Sequence, residues 1–245
     1  MCFLDWAQCD EAAHGRTFVL LIMKGMKTMQ TIAIIGASGN MGSAISRGLA
    51  KGNYRLLLCA NDLDKVQTVA DEIKSSHPGA EVAVSDCSRD ASWEADIIIA
   101  AVPYTAEREV AEKVKDVANQ KIVISIANPL NDAYDGLVSA PDTSAAEELQ
   151  KLLPNAKVVK AFNTTFAADF ATPVIDGKQA DAFVAGDDQE ALQTVVELVE
   201  TVGFNPIVAG GLAVSGTLER MQLLLIQLNM KNGYNWLAGR SCITN

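Results

Sequence analysis

The stretch TIAIIGASGNMGSAISRGLA, running from Thr31 to Ala50, changes character halfway along. Thr31 to Ile35 is a short apolar, β-branched run of the kind that forms a buried strand. From Asn40 onward, Met41, Ile45 and Leu49 recur at i, i+4 and i+8, the spacing that buries one face of a helix. Gly36, Gly39 and Gly42 punctuate the turn between the two, and each has a separate mechanical reason. The first lets the chain reverse tightly off the strand, the second lets backbone N–H groups approach a pyrophosphate, and the third lets the helix pack close to the sheet. The unpaired N–H groups and positive dipole end of the helix then face the phosphates. Gly36, Ala37, Ser38, Gly39, Asn40, Met41 and Gly42 are therefore candidate dinucleotide contacts. The spacing is G-x-x-G-x-x-G, not the commoner G-x-G-x-x-G, so the surrounding strand-turn-helix pattern carries the inference.

Downstream, strands and helices alternate. Tyr54 to Ala60 (YRLLLCA) reads as a second strand, Asp62 to Ser76 as a helix with Val66, Val69 and Ile73 inward, and Ala80 to Ser85 as a third strand. Ala95 to Val102 and Lys121 to Ile126 are continuous apolar runs, which suit parallel strands covered on both faces. Helical patterns fall at Thr105 to Val117 and Thr143 to Leu153. This order predicts an α/β protein, a Rossmann-type, doubly wound, mainly parallel sheet. Beyond Pro154 the pattern predicts a smaller part with strands at Ala156 to Phe162, Asp181 to Ala185 and Pro206 to Val208, and helices at Gln189 to Val202 and Thr217 to Met230. The last helix is apolar round most of its circumference, which places it between layers or at a subunit interface. The expected division is 1–29 as an extension outside the fold, 30–154 as the dinucleotide-binding domain, 155–239 as a smaller C-terminal part closing the cleft, and 240–245 as a tail. Residues 1–29 hold one short apolar run, Phe18 to Met23, preceded by acidic residues, with alternative starts at Met23, Met26 and Met29; an upstream extension fits better than a targeting peptide.

Composition narrows the function classes. The chain has 245 residues and a formal net charge of -10 with no basic cluster, which argues against nucleic acid and anionic membranes as partners. Its five cysteines form no C-x-x-C pair and no metal-ligand spacing, the usage of reduced thiols in a cytoplasmic protein. No tyrosine is followed by lysine four residues on, which excludes the Y-x-x-x-K mechanism of short-chain dehydrogenases, and the only histidines are His14 and His77, neither placed for catalysis.

The end of the second strand bears on the choice between NADP and NAD. With Ala60 in the position that meets the adenosine ribose, no anion repels a 2′-phosphate, and Ser38, Asn61 and Lys65 are available to bind it. In a shifted register Asp62 takes that position and NAD is favoured; Asp62 also fits as the N-cap of the following helix. Val102, Pro103 and Tyr104 leave the fourth strand, and Asn128 and Pro129 leave the fifth. Both segments sit where a nicotinamide ring would lie, although each proline also serves simply to end its strand.

Taken together, IIGASGNMGSAISRGLA, DIIIAAVPY, KIVISIANPL, KVVKAFNTTFA, FVAGDD and LLLIQLNM resemble, in order and spacing, the NADPH-dependent oxidoreductases of the deazaflavin coenzyme F420, bacterial branch, and the reductase domain of STEAP-type metalloreductases. The resemblance covers residues 30 to 239. It implies a Rossmann domain, a cleft where nicotinamide and a flavin-like acceptor stack, and a homodimer. It also implies NADP(H) as one substrate and F420 or a flavin as the small-molecule acceptor. Relatives usually carry Ser-Arg where this chain has Ala60-Asn61, which removes a cationic stacking partner for the adenine and 2′-phosphate. Archaeal relatives carry a histidine where this chain has Asn163. Geometry, with no side-chain acid or base, would then supply catalysis, with Pro103 holding the backbone and Asn163 donating to an acceptor carbonyl. A dinucleotide-binding sensor without turnover and an NADPH-dependent flavin or ferric reductase are the alternatives.

Overall fold

The computed structural model describes residues 29–234 apart from Asp176, together with Trp236. The expected extension and the 240–245 tail thus fall outside the described residues, Met29 excepted. Five β-α units come first. They comprise β1 (Gln30–Ile35), α1 (Asn40–Leu49), β2 (Tyr54–Cys59), α2 (Leu63–Ser76), β3 (Glu81–Ser85), α3 (Ser88–Glu94), β4 (Ile97–Ala100), α4 (Tyr104–Val114), β5 (Ile122–Ser125) and α5 (Ala145–Leu152). β6 (Lys157–Lys160) follows, then a 3-10 turn (Ala167–Phe170) and a short hairpin, β7 (Val174–Ile175) with β8 (Lys178–Gln179). The last described elements are β9 (Asp181–Gly186), α6 (Gln189–Val202), β10 (Asn205–Gly210) and α7 (Ser215–Asn232).

Among the described residues, one eight-stranded sheet has the order β10-β9-β6-β5-β4-β1-β2-β3. β3 through β6 are parallel, β9 joins β6 antiparallel, and β10 runs parallel to β9. Ile32, Ala33 and Ile34 in β1 and Ile97, Ile98, Ile99 and Ala100 in β4 are buried on both faces, which is why these strands read as unbroken apolar runs. Ile45 and Leu49 anchor α1 in this core with no exposed surface, each contributing roughly 1.5–3 kcal/mol relative to remaining exposed. β6, β9 and β10, all from the C-terminal part, extend the same sheet at one edge.

The sequence order reverses between β1 and β4, so the crevice outside the carboxyl ends of β1, β4 and β5 lies at the topological switch point. Two features had no sequence signal. α3 (SRDASWE) is polar, buries only Ala91 and Ser92, and leaves Trp93 68% exposed. The β7–β8 pair is two residues per strand.

α7 departs from its expected burial. Leu218, Leu225 and Ile226 face inward, but so do Glu219, Gln222 and Asn229, while Leu224, Leu228 and Met230 are exposed. The helix is therefore not buried all round within one chain.

Candidate functional site

The site begins with the backbone of the turn after β1. Gly36 has φ +89, and a Cβ there would fall 2.2 Å from the Ala101 carbonyl oxygen at the end of β4, so only glycine fits. A Cβ on Gly42 would lie 2.1 Å from the Gly36 oxygen. The third glycine thus lets α1 sit on the turn itself, a closer contact than the expected one with the sheet. Gly39 is the N-cap of α1 and supplies no side-chain acceptor, and the first turn carries no acidic residue. The leading N–H groups of α1 are therefore not closed by the chain's own side chains, as the N-termini of α2, α5 and α6 are by Asp62, Ser144 and Asp188. An anion such as a pyrophosphate meets open donors and a glycine cradle, so the residues present fit a dinucleotide.

Two adjoining hollows flank this turn and share Gly39, Ala101, Val102 and Pro103. The first, about 360 Å³, runs over the ends of β1, β2 and β3 and contains Gly36, Ser38, Ala60, Asn61 and Asp62, together with Asp86, Glu109 and Lys113. Its position over β2 suits the adenosine half. Asp62 caps α2 through the Lys65 N–H at 3.1 Å, and its second oxygen holds the Lys65 ammonium at 2.9 Å. These hydrogen bonds from Lys65 hold the Asp62 carboxyl below its usual range. Cys59, buried beneath, has its thiol pushed up to about 11 by desolvation.

The second hollow, about 490 Å³, lies over the ends of β1, β4 and β5 and suits the nicotinamide half and an acceptor. Its walls are Asn40 and Met41 from α1, Val102, Pro103, Tyr104 and Thr105 entering α4, and Ala127 and Asn128 after β5. Leu130, Asn131, Asp132 and Tyr134, from a loop without motif character, close it. Tyr134 adopts φ +54, and its carbonyl accepts from Gln227 of α7 at 3.2 Å.

Most residues singled out in the sequence meet along this groove. Ala37, Gly42, Lys65, Pro129 and Asn163 do not line either hollow. Asn163 lies one layer behind. It is 2% exposed, its Nδ2 donates to Asn128 Oδ1 at 3.0 Å, and its carbonyl accepts from Asn128 Nδ2 at 2.9 Å. The direct bond from Asn163 to an acceptor carbonyl is thus replaced by a reciprocal amide pair that fixes Asn128. Phe162, just before it, is wholly buried at φ +58, a strained conformation that turns the chain under the cleft.

Beneath the second hollow is a buried charge cluster that the sequence reading did not single out. Lys160, at 0% exposure, donates to Glu219 Oε1 at 2.6 Å and to the Ala127 carbonyl, and Glu219 also accepts from the Ala145 N–H at 3.1 Å. Glu107 on α4 accepts from Ser125 Oγ at 2.9 Å, and its carboxyl is pushed up to about 7 by desolvation against the opposing pull of Lys160 and Ser125. Tyr104 donates to Glu148 at 2.6 Å, and burial followed by that bond raises its phenol to about 12. The available signal was charge on a buried stripe: Glu107 lies at i with Ala111 and Val114 at i+4 and i+7.

Comparison with known proteins agrees with this geometry. Residues 31–129 match the family model for NADP oxidoreductase, coenzyme F420-dependent. The F420-dependent NADP reductase of Methanocaldococcus jannaschii is 32% identical over 211 residues, covering 82% of this chain and 92% of that one. Rat metalloreductase STEAP3 is 33% identical over 106 residues, 43% of this chain and 21% of that protein. A crystal structure described as a putative F420-dependent NADP reductase from Arthrobacter sp. FB24 superposes with a TM-score of 0.70 at 24% identity, covering 83% of this chain and 95% of that one. With the switch-point groove, the open helix terminus and a full-length relative in agreement, the chain belongs to the F420-dependent NADP oxidoreductase family.

Proposed function

We propose that this protein moves a hydride between NADP(H) and a deazaflavin of the F420 type, with a flavin as the alternative acceptor. The observation that carries this reading is the uncapped N-terminus of α1, opening onto a groove that runs from the β2 end to the β5 end. Gly36 to Gly42 hold the pyrophosphate. Ser38, Ala60, Asn61 and Lys65 meet the adenosine and its 2′-phosphate. Val102, Pro103, Tyr104 and Asn128 form the wall against which the nicotinamide lies, with Pro129 and Asn163 fixing Asn128 from behind.

The nicotinamide, when bound, supplies the hydride or receives it. The chain's contribution is placement: Pro103 and Pro129 stiffen the strand ends, the Asn128–Asn163 pair sets one amide, and apolar Met41 and Val102 keep water off the ring faces. Reduction of the acceptor also takes one proton, which solvent at the open mouth can provide.

Cofactor choice turns on Lys65. Its ammonium is held by Asp62, so the 2′-phosphate must compete for it. Asp62→Asn keeps a capping side chain and frees the ammonium, and is expected to tighten NADP several-fold while leaving NAD unchanged; isothermal titration checks this. We place residues 30–154 as the dinucleotide-binding domain and 155–239 as the part that closes the cleft. The exposed Leu224, Leu228 and Met230 of α7 support a homodimer through that helix, which Leu224→Glu would dissociate in sedimentation equilibrium. Free Cys59 and Cys87 support a cytoplasmic location. Among the described residues no helix is long and apolar enough to cross a membrane. Stopped-flow NADPH oxidation against F420, FMN, FAD and ferric chelates tests the function: rapid single-turnover transfer to F420 supports it, and no transfer to any acceptor refutes it.

A further inference from the structure

We propose that Lys160 is a positioning residue for the nicotinamide half of the site, acting through the Ala127 carbonyl. The proposal rests on the reading of the cleft given above. Lys160 ends β6 inside a run whose other members, Val158, Val159, Ala161 and Phe162, are buried apolar residues. A branched aliphatic side chain would suit such a strand, and an ammonium with 0% exposure carries a desolvation cost that an aliphatic residue avoids. What the ammonium does that an aliphatic chain cannot is donate in two directions. One hydrogen bond goes to the Ala127 carbonyl, the other to Glu219 Oε1 at 2.6 Å.

Ala127 stands two residues past the end of β5, where the parallel ladder with β6 has stopped; its last pairing is Ser125 with Lys160. Its carbonyl is turned to Lys160, and in a trans peptide this points the Asn128 N–H the opposite way. The Asn128 side chain is set independently by Asn163, at 2.9 and 3.0 Å. Three bonds therefore define the Ala127–Asn128 step, and both residues line the larger hollow. Glu219 braces the ammonium from the other side, and its carboxylate is held by the Ala145 N–H at the start of α5. One buried cation thus joins β5, β6, α5 and α7 directly beneath the wall where the nicotinamide lies.

The test is the double variant Lys160→Met/Glu219→Gln, which removes both charges together and keeps an acceptor for the Ala145 N–H. Dissociation constants are measured for NADPH and for 2′,5′-ADP, which carries only the adenosine half. The expected result is NADPH weakened about tenfold or more, 2′,5′-ADP within about twofold, and a melting temperature near that of the wild type. A purely structural ion pair would leave both ligands unaffected or weaken them in parallel, and either outcome overturns the proposal. If the double variant does not fold, Lys160→Met alone, which removes the donor to the Ala127 carbonyl, decides in its place. A tenfold loss for NADPH with 2′,5′-ADP within about twofold supports the proposal, and both ligands unaffected or weakened in parallel overturns it. Wild-type protein that binds neither ligand would instead refute the reading of the cleft itself.

Discussion

α1 and α6 are both amphipathic helices packed on the same sheet, and they begin in opposite ways. α6 starts at Asp188, whose carboxylate accepts from the Ala191 N–H at 2.9 Å and from the Lys157 ammonium at 3.1 Å. Its positive end is closed by the chain itself. α1 starts at Gly39, with no side-chain acceptor and no acidic residue in the first turn. One terminus is closed by the chain's own carboxylate and the other keeps its donors open, and the difference lies in a single N-cap residue. The contrast extends to α4, which also faces the cleft: its N-cap is Pro103, and its first-turn carboxylate, Glu107, turns inward to Ser125.

The most severe way to break the open terminus is to disturb the turn that presents it. Gly36→Ala forces an L side chain to φ +89 and against the Ala101 oxygen, and NADPH affinity is expected to fall about 1000-fold, roughly 4 kcal/mol, as read by fluorescence titration.

The inward carboxylate of α4 gives the next largest effect. Glu107 is raised from 4.5 to about 7, so in the folded state it holds its proton where the unfolded chain has released it. Stability from this group is complete below pH about 4.5 and is lost as pH rises through about 7, for a total of up to about 3 kcal/mol. Glu107→Gln should flatten that part of the profile in urea unfolding from pH 5 to 8; an unchanged slope would show that another group titrates there.

At the closed terminus the effect is smaller and of another kind. Asp188→Ala should lower the melting temperature by about 3 °C and leave NADPH affinity unaltered, because the cap it removes is remote from the groove. A matching loss of NADPH binding would mean that the two ends are coupled through the sheet.

How much of this could be read in the sequence differs between the two kinds of feature. The glycine turn, the inward face of α2 at Val66, Val69 and Ile73, and the bounds of α6 were legible because each rests on local spacing. The reversed direction of β9 was not legible, since a buried strand has the same composition whichever way it runs. Asn163 was placed correctly after β6, but its partner Asn128 lies 35 residues away, so its turn away from the groove needed the fold. The same holds for Lys160 and Glu219, 59 residues apart. Asp62 left two roles open in the sequence, a ribose contact and a helix cap, and the structure shows the cap directly.

If the uncapped N-terminus of α1 receives the dinucleotide phosphates, Gly39→Asp should close it to them. Position 39 has φ -75 and ψ 166, which any residue adopts, and an added Cβ meets only the Gly36 oxygen at 3.3 Å. The new carboxylate would cap α1 as Asp188 caps α6, and would occupy and repel the phosphate position. The expected result is a melting temperature at or slightly above that of the wild type together with an NADPH affinity lowered about 100-fold or more. A folded variant that binds NADPH within about threefold of the wild type would contradict it.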